Sequence, residues 1–351
     1  GHSLRGKDFI QYDNPFDVGM TGLLGYGAAA EGIHDADLMI MIGTDFPYDQ
    51  FLPETTTIQI DTDPSVMGRR TDVDLQIEGS ALETLRALLP LVEYKKDRKW
   101  LDRVLKKHDQ IMNKAVGAYT RNVEKHQPIH PEYAASVLDE VAAEDAVFTA
   151  DTGMCNVWSA RYIRPNGKRR LIGSYLHGSM ANAMPQSIGA QFAYPGRQVI
   201  SLSGDGGLSM LLGDLITIAT YRLPTNVVVF NNSTLGMVKL EMLVDGLADF
   251  GVDVPDTNYA DIAKAMGFHA IRVTDPKKLK KAYQEALSFD GPALVEVITD
   301  PMSLSVPPKI SSDQIFGFAT AMSKIVLNRG AGEAVSMARS NLRNVQAVRQ
   351  W

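Results

Sequence analysis

The sequence predicts an α/β protein with two doubly wound parallel-sheet domains and a helical C-terminal tail. Short apolar runs recur along the chain, and most of them end in glycine or acidic residues. Between these runs the apolar residues fall at helical spacing, as in residues 208–220. Strands that alternate with helices in this way pair in parallel, and 351 residues are enough for two such domains.

The composition is that of an ordinary soluble chain, with 45% hydrophobic and 22% charged residues. A net charge of −6 gives no electrostatic reason to expect a nucleic-acid partner. The single cysteine, Cys155, excludes an internal disulfide framework and a cysteine-rich metal site, which favours a reducing compartment. We therefore expect a cytoplasmic protein. Any membrane contact should be peripheral, because no apolar run reaches the about 20 residues that span a bilayer.

Residues 1–92 are predicted to form the first domain. Apolar strands at 37–44 and 57–64 end in a glycine turn and in acidic residues. At the carboxyl edge of a parallel sheet, such an acidic residue can accept a ribose hydroxyl of a nucleotide. Any α/β domain would show similar strands, and the glycines do not form Gly-x-Gly-x-x-Gly. Because the chain opens abruptly and without methionine, we expect this domain to be incomplete at its start.

Residues 93–127 are rich in charge and are predicted to form a helical connector. The spacing from Lys95 to Lys107 is that of an amphipathic helix. A basic helix could touch a membrane surface, but a solvated helix between domains is the more common case. The histidines show no metal-ligand spacing, and His34, His108 and His126 are predicted to be plain surface residues.

Residues 128–306 are predicted to form the second domain, which contains two motifs that carry chemistry. The strand at 197–203 runs into Gly204-Asp205-Gly206-Gly207, and the strand at 226–230 runs into Asn231-Asn232. Glycines allow the main chain to approach an anion, and the start of the following helix adds partial positive charge. Asp205 and Asn232 also offer the hard oxygen ligands that Mg²⁺ prefers. Either motif alone is an ordinary tight turn, but together they predict a site for a metal-bound diphosphate.

The two motifs together resemble the diphosphate motif of the thiamine diphosphate (ThDP) enzymes. That resemblance implies that Asp205, Asn232 and the backbone carbonyl of Thr234 hold the metal. It also implies that Met180 props the cofactor into a bent shape and that the Gly178 carbonyl accepts a hydrogen bond from the aminopyrimidine. The residues implied to bind ThDP are Gly178, Ser179, Met180, Asp205, Gly206, Gly207, Asn232, Ser233, Thr234, Leu235, Gly236, Met237 and Val238.

Nearly the whole chain resembles the FAD-linked pyruvate oxidases of the ThDP family, and among them the bacterial enzymes that pass electrons to quinone. The segments that carry this resemblance are 13–25, 43–47, 167–170, 177–185 and 204–213. The implied reaction is the oxidative decarboxylation of pyruvate to acetate and CO₂ by a homo-oligomer, with ThDP, Mg²⁺ and FAD as cofactors and quinone as acceptor. The residues implied to bind FAD are Met20, Thr21, Gly22, Leu23, Gly43, Thr44, Asp45, Phe46, Pro47, Ile60, Asp61, Thr62, Asp63, Pro64 and Ser65.

The same resemblance implies that the tail, residues 307–351, docks on the inner face of the cell membrane. Arg339, Arg343, Arg349 and Trp351 suit an anionic interface. The alternative is a packed terminal helix, for which the apolar residues from Phe316 to Leu327 would supply the buried face.

Two departures from the family pattern leave other functions open. Nothing in the chain corresponds to the amino-terminal pyrimidine-binding domain that carries the activating glutamate, so we expect this chain alone to bind cofactor and to be inactive. Met237 stands where the quinone-linked enzymes have phenylalanine and where acetolactate synthases have methionine. The alternatives are therefore an acetolactate synthase-like carboligase and a non-catalytic ThDP-binding module.

Overall fold

The computed structural model describes residues 1–46, 48–303, 305 and 312–348. Apart from one short antiparallel pair within residues 19–27, its strands form parallel sheets flanked by helices, which confirms the predicted α/β class. The helices are α1 (Lys7–Ile10), α2 (Ala29–His34), α3 (Ala81–Leu88), α4 (Lys99–Ile111), α5 (Pro131–Val141), α6 (Met154–Tyr162), α7 (Ala183–Ala193), α8 (Asp205–Met210), α9 (Leu215–Thr220), α10 (Gly236–Val244), α11 (Tyr259–Ala265), α12 (Pro276–Leu287), α13 (Ser312–Arg329) and α14 (Ala331–Val348). The strands are β1 (Gly19–Met20), β2 (Tyr26–Gly27), β3 (Leu38–Ile42), β4 (Thr56–Asp61), β5 (Leu75–Glu78), β6 (Val147–Ala150), β7 (Arg170–Gly173), β8 (Val199–Gly204), β9 (Thr225–Asn231), β10 (His269–Val273) and β11 (Ala293–Ile298).

The chain divides into two compact units. The first contains residues 1–6 and 14–112, and the second contains residues 7–13 and the described residues from 113 onward. Residues 93–127, which the sequence predicts to be a connector, are therefore shared between the two units.

The first unit is built on a three-stranded parallel sheet in the order β3-β4-β5. Gly43, just after β3, donates its backbone N–H to the Ile60 carbonyl at 2.8 Å, so the ends of β3 and β4 lie side by side. The apolar face of helix α4 packs within this unit, where Val104 is buried. The indole N–H of Trp100, in the same helix, donates to the Asp35 carboxylate at 3.0 Å.

The second unit is built on a six-stranded parallel sheet in the order β10-β11-β9-β8-β6-β7. Every residue of β9 is buried, as is nearly all of β8, because helices cover both faces of the sheet. This double burial explains why both strands are continuous apolar runs in the sequence rather than alternating patterns. The main core lies between the sheet and the helices α7, α8, α9 and α11, and includes Leu208, Leu215, Val227, Tyr259 and Leu294.

The single helix predicted over 208–220 is divided in the structure. Helix α8 ends at Met210, a tight turn occupies Leu212–Asp214, and α9 begins at Leu215. The backbone bonds there join residues three apart, from Leu211 to Leu208 and from Asp214 to Leu211. Gly213 lies in this turn, where its poor helix propensity favours the break.

Residues 7–13 lie beside β7, one of the two edge strands of the six-stranded sheet. The Asp8 carboxylate accepts a hydrogen bond from the backbone N–H of Leu171 in β7 at 2.8 Å. Arg170 of the same strand lies 3.5 Å from Asp8 and over the ring of Phe9. An unpaired strand edge is a template for pairing with other chains, so this segment blocks such pairing.

Helices α13 and α14 pack on α10 through a buried cluster that includes Leu243, Ala321, Ile325 and Met337. The guanidinium of Arg343 donates to the carbonyls of residues 118, 121 and 122, while Phe316 and Leu327 are exposed.

Arg349, Trp351 and residues 306–311 lie outside the described residues. Within the described ranges, no helix combines the length and apolar character that crossing a membrane requires.

Candidate functional site

The candidate site lies at the carboxyl edge of the six-stranded sheet. From β6 the chain passes to the edge strand β7 and then crosses to β8 on the other side of β6, which makes the β6–β8 boundary a topological switch point. Open α/β sheets bind ligands outside such a point. Asp151 follows β6 and Asp205 follows β8, so two acidic residues flank the boundary, while Asn232 follows the neighbouring strand β9.

The structure brings the two predicted motifs together. One oxygen of the Asp205 carboxylate, Oδ2, accepts a hydrogen bond from the Asn232 backbone N–H at 3.2 Å. The other oxygen, Oδ1, accepts from the Gly206 backbone N–H at 2.7 Å. Asp205 is only 3% exposed, so its carboxylate is held in place by backbone donors rather than by solvent.

The loop after β9 is a tight polar turn. The side-chain oxygen of Asn232 accepts from the Thr234 backbone N–H at 3.2 Å, and a carbonyl oxygen retains a second lone pair for a metal. Between them, Ser233 has a φ of 53°, in the left-handed region that few residues other than glycine adopt. The Thr234 hydroxyl donates to the Val252 carbonyl at 3.2 Å, which fixes the far end of the turn.

Asp151, which follows β6, is a second buried acid at the site. Its Oδ1 accepts from the Ala183 backbone N–H at 2.8 Å. Its Oδ2 is buried and has no hydrogen-bond partner of normal geometry among the residues that the structure describes. A buried carboxylate oxygen without a partner is costly, which is the expected state of a group that binds a ligand.

Burial raises the pKa of both carboxyls to about 6, against the opposing effect of their backbone hydrogen bonds. A folded pKa above the unfolded value means that the ionised acids destabilise the fold at neutral pH, and this cost disappears as the pH falls from 6 toward 4. A bound cation would offset the same cost. The adjacent thiol of Cys155 has its pKa raised well above normal by burial and by these two acids, so it is an unreactive core residue.

The site opens into a cleft in the second unit. Most of the residues implied to bind ThDP line it, whereas Gly178, Ser179 and Ser233 do not. A side chain at Gly178 would approach the methyl group of Thr152, at 3.7 Å, so that turn lies beside the cleft. The lining residues are Pro131, Asp151, Thr152, Gly153, Met154, Cys155, Trp158, Met180, Gly204, Asp205, Gly206, Gly207, Phe230, Asn232, Thr234, Leu235, Gly236, Met237, Val238, Thr299, Asp300 and Ser303.

Asp300, which lines the cleft, belongs to a polar and aromatic cluster that the sequence did not indicate. Asp300 Oδ2 lies 3.0 Å from His126 Nε2 and accepts from the Ser340 hydroxyl at 2.6 Å. The His130 ring stacks on Tyr119 with centroids 3.9 Å apart. The prediction that His126 is a plain surface residue is therefore wrong, because Asp300 and the aromatic rings leave its side chain only 26% exposed. His108 is also partly buried, against Gly27.

The lowered pKa of His130 predicts that the protein loses stability in acid. Burial, aided by the nearby His126, lowers the pKa of His130 from 6.5 to about 3. Below pH 6.5 the unfolded chain binds a proton at this ring that the folded chain does not, so stability falls as the pH drops toward 3. We expect His130→Gln to remove a dependence of up to about 1.4 kcal/mol per pH unit in urea unfolding. Equal slopes for His130→Gln and wild type would contradict the assignment.

The residues implied to bind FAD lie in the first unit. A side chain at Gly22 would approach the Phe46 ring at 3.0 Å, so the segments at 20–23 and 43–46 are neighbours. Asp45 is paired with Arg69 and Arg70 at 3.1 and 3.3 Å. The Asp61 carboxylate, which closes β4, accepts from the Asp63 backbone N–H at 3.0 Å. Pro47 lies outside the described residues.

The described part of the chain contains no group of three or more His, Cys, Asp or Glu arranged to hold a metal. A metal here would need a mixed set of carboxylate, amide and backbone oxygens, such as Asp205, Asn232 and Thr234 offer, which is the kind of shell that Mg²⁺ completes with ligand oxygens and water.

Two family models match the chain. The thiamine pyrophosphate enzyme C-terminal TPP binding domain matches residues 151–297, and the thiamine pyrophosphate enzyme central domain matches residues 1–88. Thiamine pyrophosphate is ThDP under its other name. The first match contains Asp151, Asp205 and Asn232, and the second contains all of the residues implied to bind FAD.

Three relatives illustrate the similarity. The chain is 34% identical over 341 residues to YdaP of Bacillus subtilis (strain 168), named for containing thiamine pyrophosphate, with 96% of this chain and 58% of YdaP aligned. It is 31% identical over 327 residues to a probable acetolactate synthase large subunit of Methanocaldococcus jannaschii, covering 87% of this chain and 54% of the relative. It is 29% identical over 301 residues to a pyruvate oxidase of Lactiplantibacillus plantarum, covering 83% of this chain and 49% of the relative. The chain spans about half the length of these relatives.

Proposed function

This chain belongs to the thiamine pyrophosphate (ThDP) enzymes, and from that membership we propose that its second unit binds ThDP through a divalent metal and acts on pyruvate. The observation that carries this proposal is the hydrogen bond from the Asn232 backbone N–H to the Asp205 carboxylate, at 3.2 Å. It lies beside the Asp151 oxygen that has no hydrogen-bond partner. These groups lie where a parallel sheet binds ligands.

The residues present fit both groups. Asp205, Asn232 and the Thr234 carbonyl would hold the metal. Gly206 and Gly207 line the cleft, and their lack of a side chain lets the backbone approach a diphosphate. A side chain at either position would collide with Leu235 or Asp151. The orphaned Asp151 oxygen can accept a hydrogen bond from the ligand or its water.

Bound ThDP supplies the electron sink that lets CO₂ leave a 2-oxo acid. The residues of the cleft orient it and keep water out. Met180, Leu235 and Met237 line the cleft together, and the Met180 methyl lies within 3.7 Å of where a side chain at Gly206 would stand. This apolar wall favours desolvation of a bound carboxylate substrate.

We further propose that the reaction is the FAD-linked oxidation: pyruvate and water give acetate and CO₂, and two electrons with two protons pass to FAD and then to quinone. The segments that resemble the pyruvate oxidases support it, and the pyruvate oxidase relative agrees with it. The first unit supports FAD binding by bringing the segments at 20–23 and 43–46 to one place, with the end of β4 beside β3.

The second candidate is an acetolactate synthase-like carboligase, which would use the same metal site and add a second 2-oxo acid after CO₂ leaves. Met237, which lines the cleft, favours it because acetolactate synthases carry methionine there, and relatives with that name support it.

Pyruvate-dependent bleaching of flavin absorbance tests the proposal, in anaerobic solution with saturating ThDP, Mg²⁺ and FAD. The chain is assayed alone and with a separately purified polypeptide matching the part of YdaP that it does not align with. We expect bleaching and equimolar acetate in at least one condition. Acetolactate without bleaching would identify the carboligase. Calorimetric ThDP binding with neither product would identify a non-catalytic module.

A further inference from the structure

A buried carboxylate stands behind the metal site and takes no part in the chemistry proposed above. Glu296 lies in β11, inside the otherwise apolar run Ala293–Ile298, and it is 0% exposed. A carboxyl group in such a place is retained only if its hydrogen-bond partners compensate for the lost hydration. The partners of Glu296 therefore show what it does.

The first partner is Asn231, which directly precedes Asn232. The Asn231 side-chain amide donates to Glu296 Oε1 at 2.8 Å and to the Thr257 carbonyl at 3.2 Å. Its oxygen accepts from the Ser233 backbone N–H at 3.2 Å. Glu296 accepts only, so it orients the amide of Asn231 with the oxygen toward Ser233. Glu296 thus stabilises, through Asn231, the strained turn between Asn232 and Thr234.

The second partner is helix α11. Glu296 Oε2 accepts from the backbone N–H of Ala260 at 3.0 Å, in the first turn of that helix. The preceding residue, Tyr259, is fully buried, and its hydroxyl donates to the backbone carbonyl of Asp205 at 3.1 Å. Ser209 meets the same hydroxyl at 2.7 Å. Through α11, the carboxylate also reaches the segment that carries Asp205.

We propose that Glu296 is the positioning residue of the metal site. Its two oxygens hold Asn231 and α11, and these in turn hold the Asn232 turn and the Asp205 main chain in one arrangement. Arg272, whose Nε lies 3.7 Å away, offsets part of its charge. The inference rests on the proposed metal-dependent ThDP binding. Residues that orient metal ligands in this way typically change metal affinity by about 10–100-fold.

The test measures Mn²⁺ affinity by electron paramagnetic resonance with saturating ThDP, which reads the metal site without any turnover. Glu296→Gln keeps the size of the side chain, but its amide can no longer accept from both Asn231 and Ala260. We expect it to weaken Mn²⁺ binding by about 10–100-fold at a temperature where the variant is fully folded.

A reciprocal exchange separates positioning from general damage. Asn231→Asp alone places two buried carboxylates together and should weaken binding at least as much. In the double variant Asn231→Asp with Glu296→Gln, the new glutamine amide can donate to the aspartate while its oxygen accepts from Ala260. We expect the double variant to bind Mn²⁺ at least about tenfold more tightly than Asn231→Asp.

Asp139→Asn is the matched control, because Asp139 is also a buried carboxylate, 3% exposed, and pairs with Arg164 and Arg169 away from the cleft. It should lower the melting temperature and leave Mn²⁺ affinity unchanged. If wild type binds Mn²⁺ and ThDP and Glu296→Gln binds them within about twofold, the positioning role is overturned and the proposed function stands. If wild type binds neither, the metal site and the role of Glu296 fall together.

Discussion

Asp205→Ala is expected to weaken Mg²⁺-dependent ThDP binding by about 10³-fold, more than the about 10–100-fold typical of residues that only support a metal ligand. Asp205 is the one implied metal ligand that carries a charge, and it is buried where water cannot replace it. Without it, the diphosphate charge faces the ionised Asp151 with less compensation. Isothermal titration of ThDP in excess Mg²⁺ measures the loss.

The same substitution should not unfold the protein. Burial raises the folded pKa of Asp205 to about 6, so ionisation of this side chain costs stability at pH 7. Asp205→Ala removes that cost together with the hydrogen bonds from Gly206 and Asn232, so the two effects oppose each other. We expect the melting temperature without ligand to change little, while the rise on adding Mg²⁺ and ThDP disappears. Asp214→Ala, at an exposed acid after α8, is the control and should bind as wild type does. Wild-type affinity in Asp205→Ala would refute the assignment of the ligand.

Gly207→Ala is expected to abolish ThDP binding and to cost about 1–3 kcal/mol of stability. A β-carbon at this position would stand 2.4 Å from Asp151 Oδ2 and 3.0 Å from its Cγ. The carboxylate cannot move away easily, since its other oxygen is held by Ala183 at 2.8 Å. Thermal unfolding and ThDP titration measure the two effects.

Substitutions at two other glycines serve as comparisons for Gly207→Ala. At Gly206 the new carbon would meet the end of the Leu235 side chain at 2.5 Å, which can rotate, so Gly206→Ala should be milder. A β-carbon added at Gly213 would have no neighbouring atom within 4 Å, and Gly213→Ala should change stability by less than about 0.5 kcal/mol. If Gly207→Ala behaves like Gly213→Ala, no clash with Asp151 occurs and the prediction is wrong.

The amino-acid sequence alone was enough to predict the α/β class and the ends of the strands that carry the site. The strands before Gly204 and Asn231 are apolar because helices cover both of their faces, so local pattern and tertiary burial agree there. The motif residues could also be picked out, because glycine, aspartate and asparagine have local reasons to follow a strand. Glu296 had a signal as well, a charge within an apolar run, but its role was not inferred.

Only the tertiary structure decided which side chains meet. The sheet order places β6 and β8 side by side although β7 lies between them in the chain, and this brings Asp151 beside Asp205. His126 was wrongly predicted because its partner Asp300 comes from the end of β11, far along the chain. Local patterns record the burial and backbone preference of single segments. Contacts across strands and helices depend on how distant segments pack, which neighbouring residues do not encode.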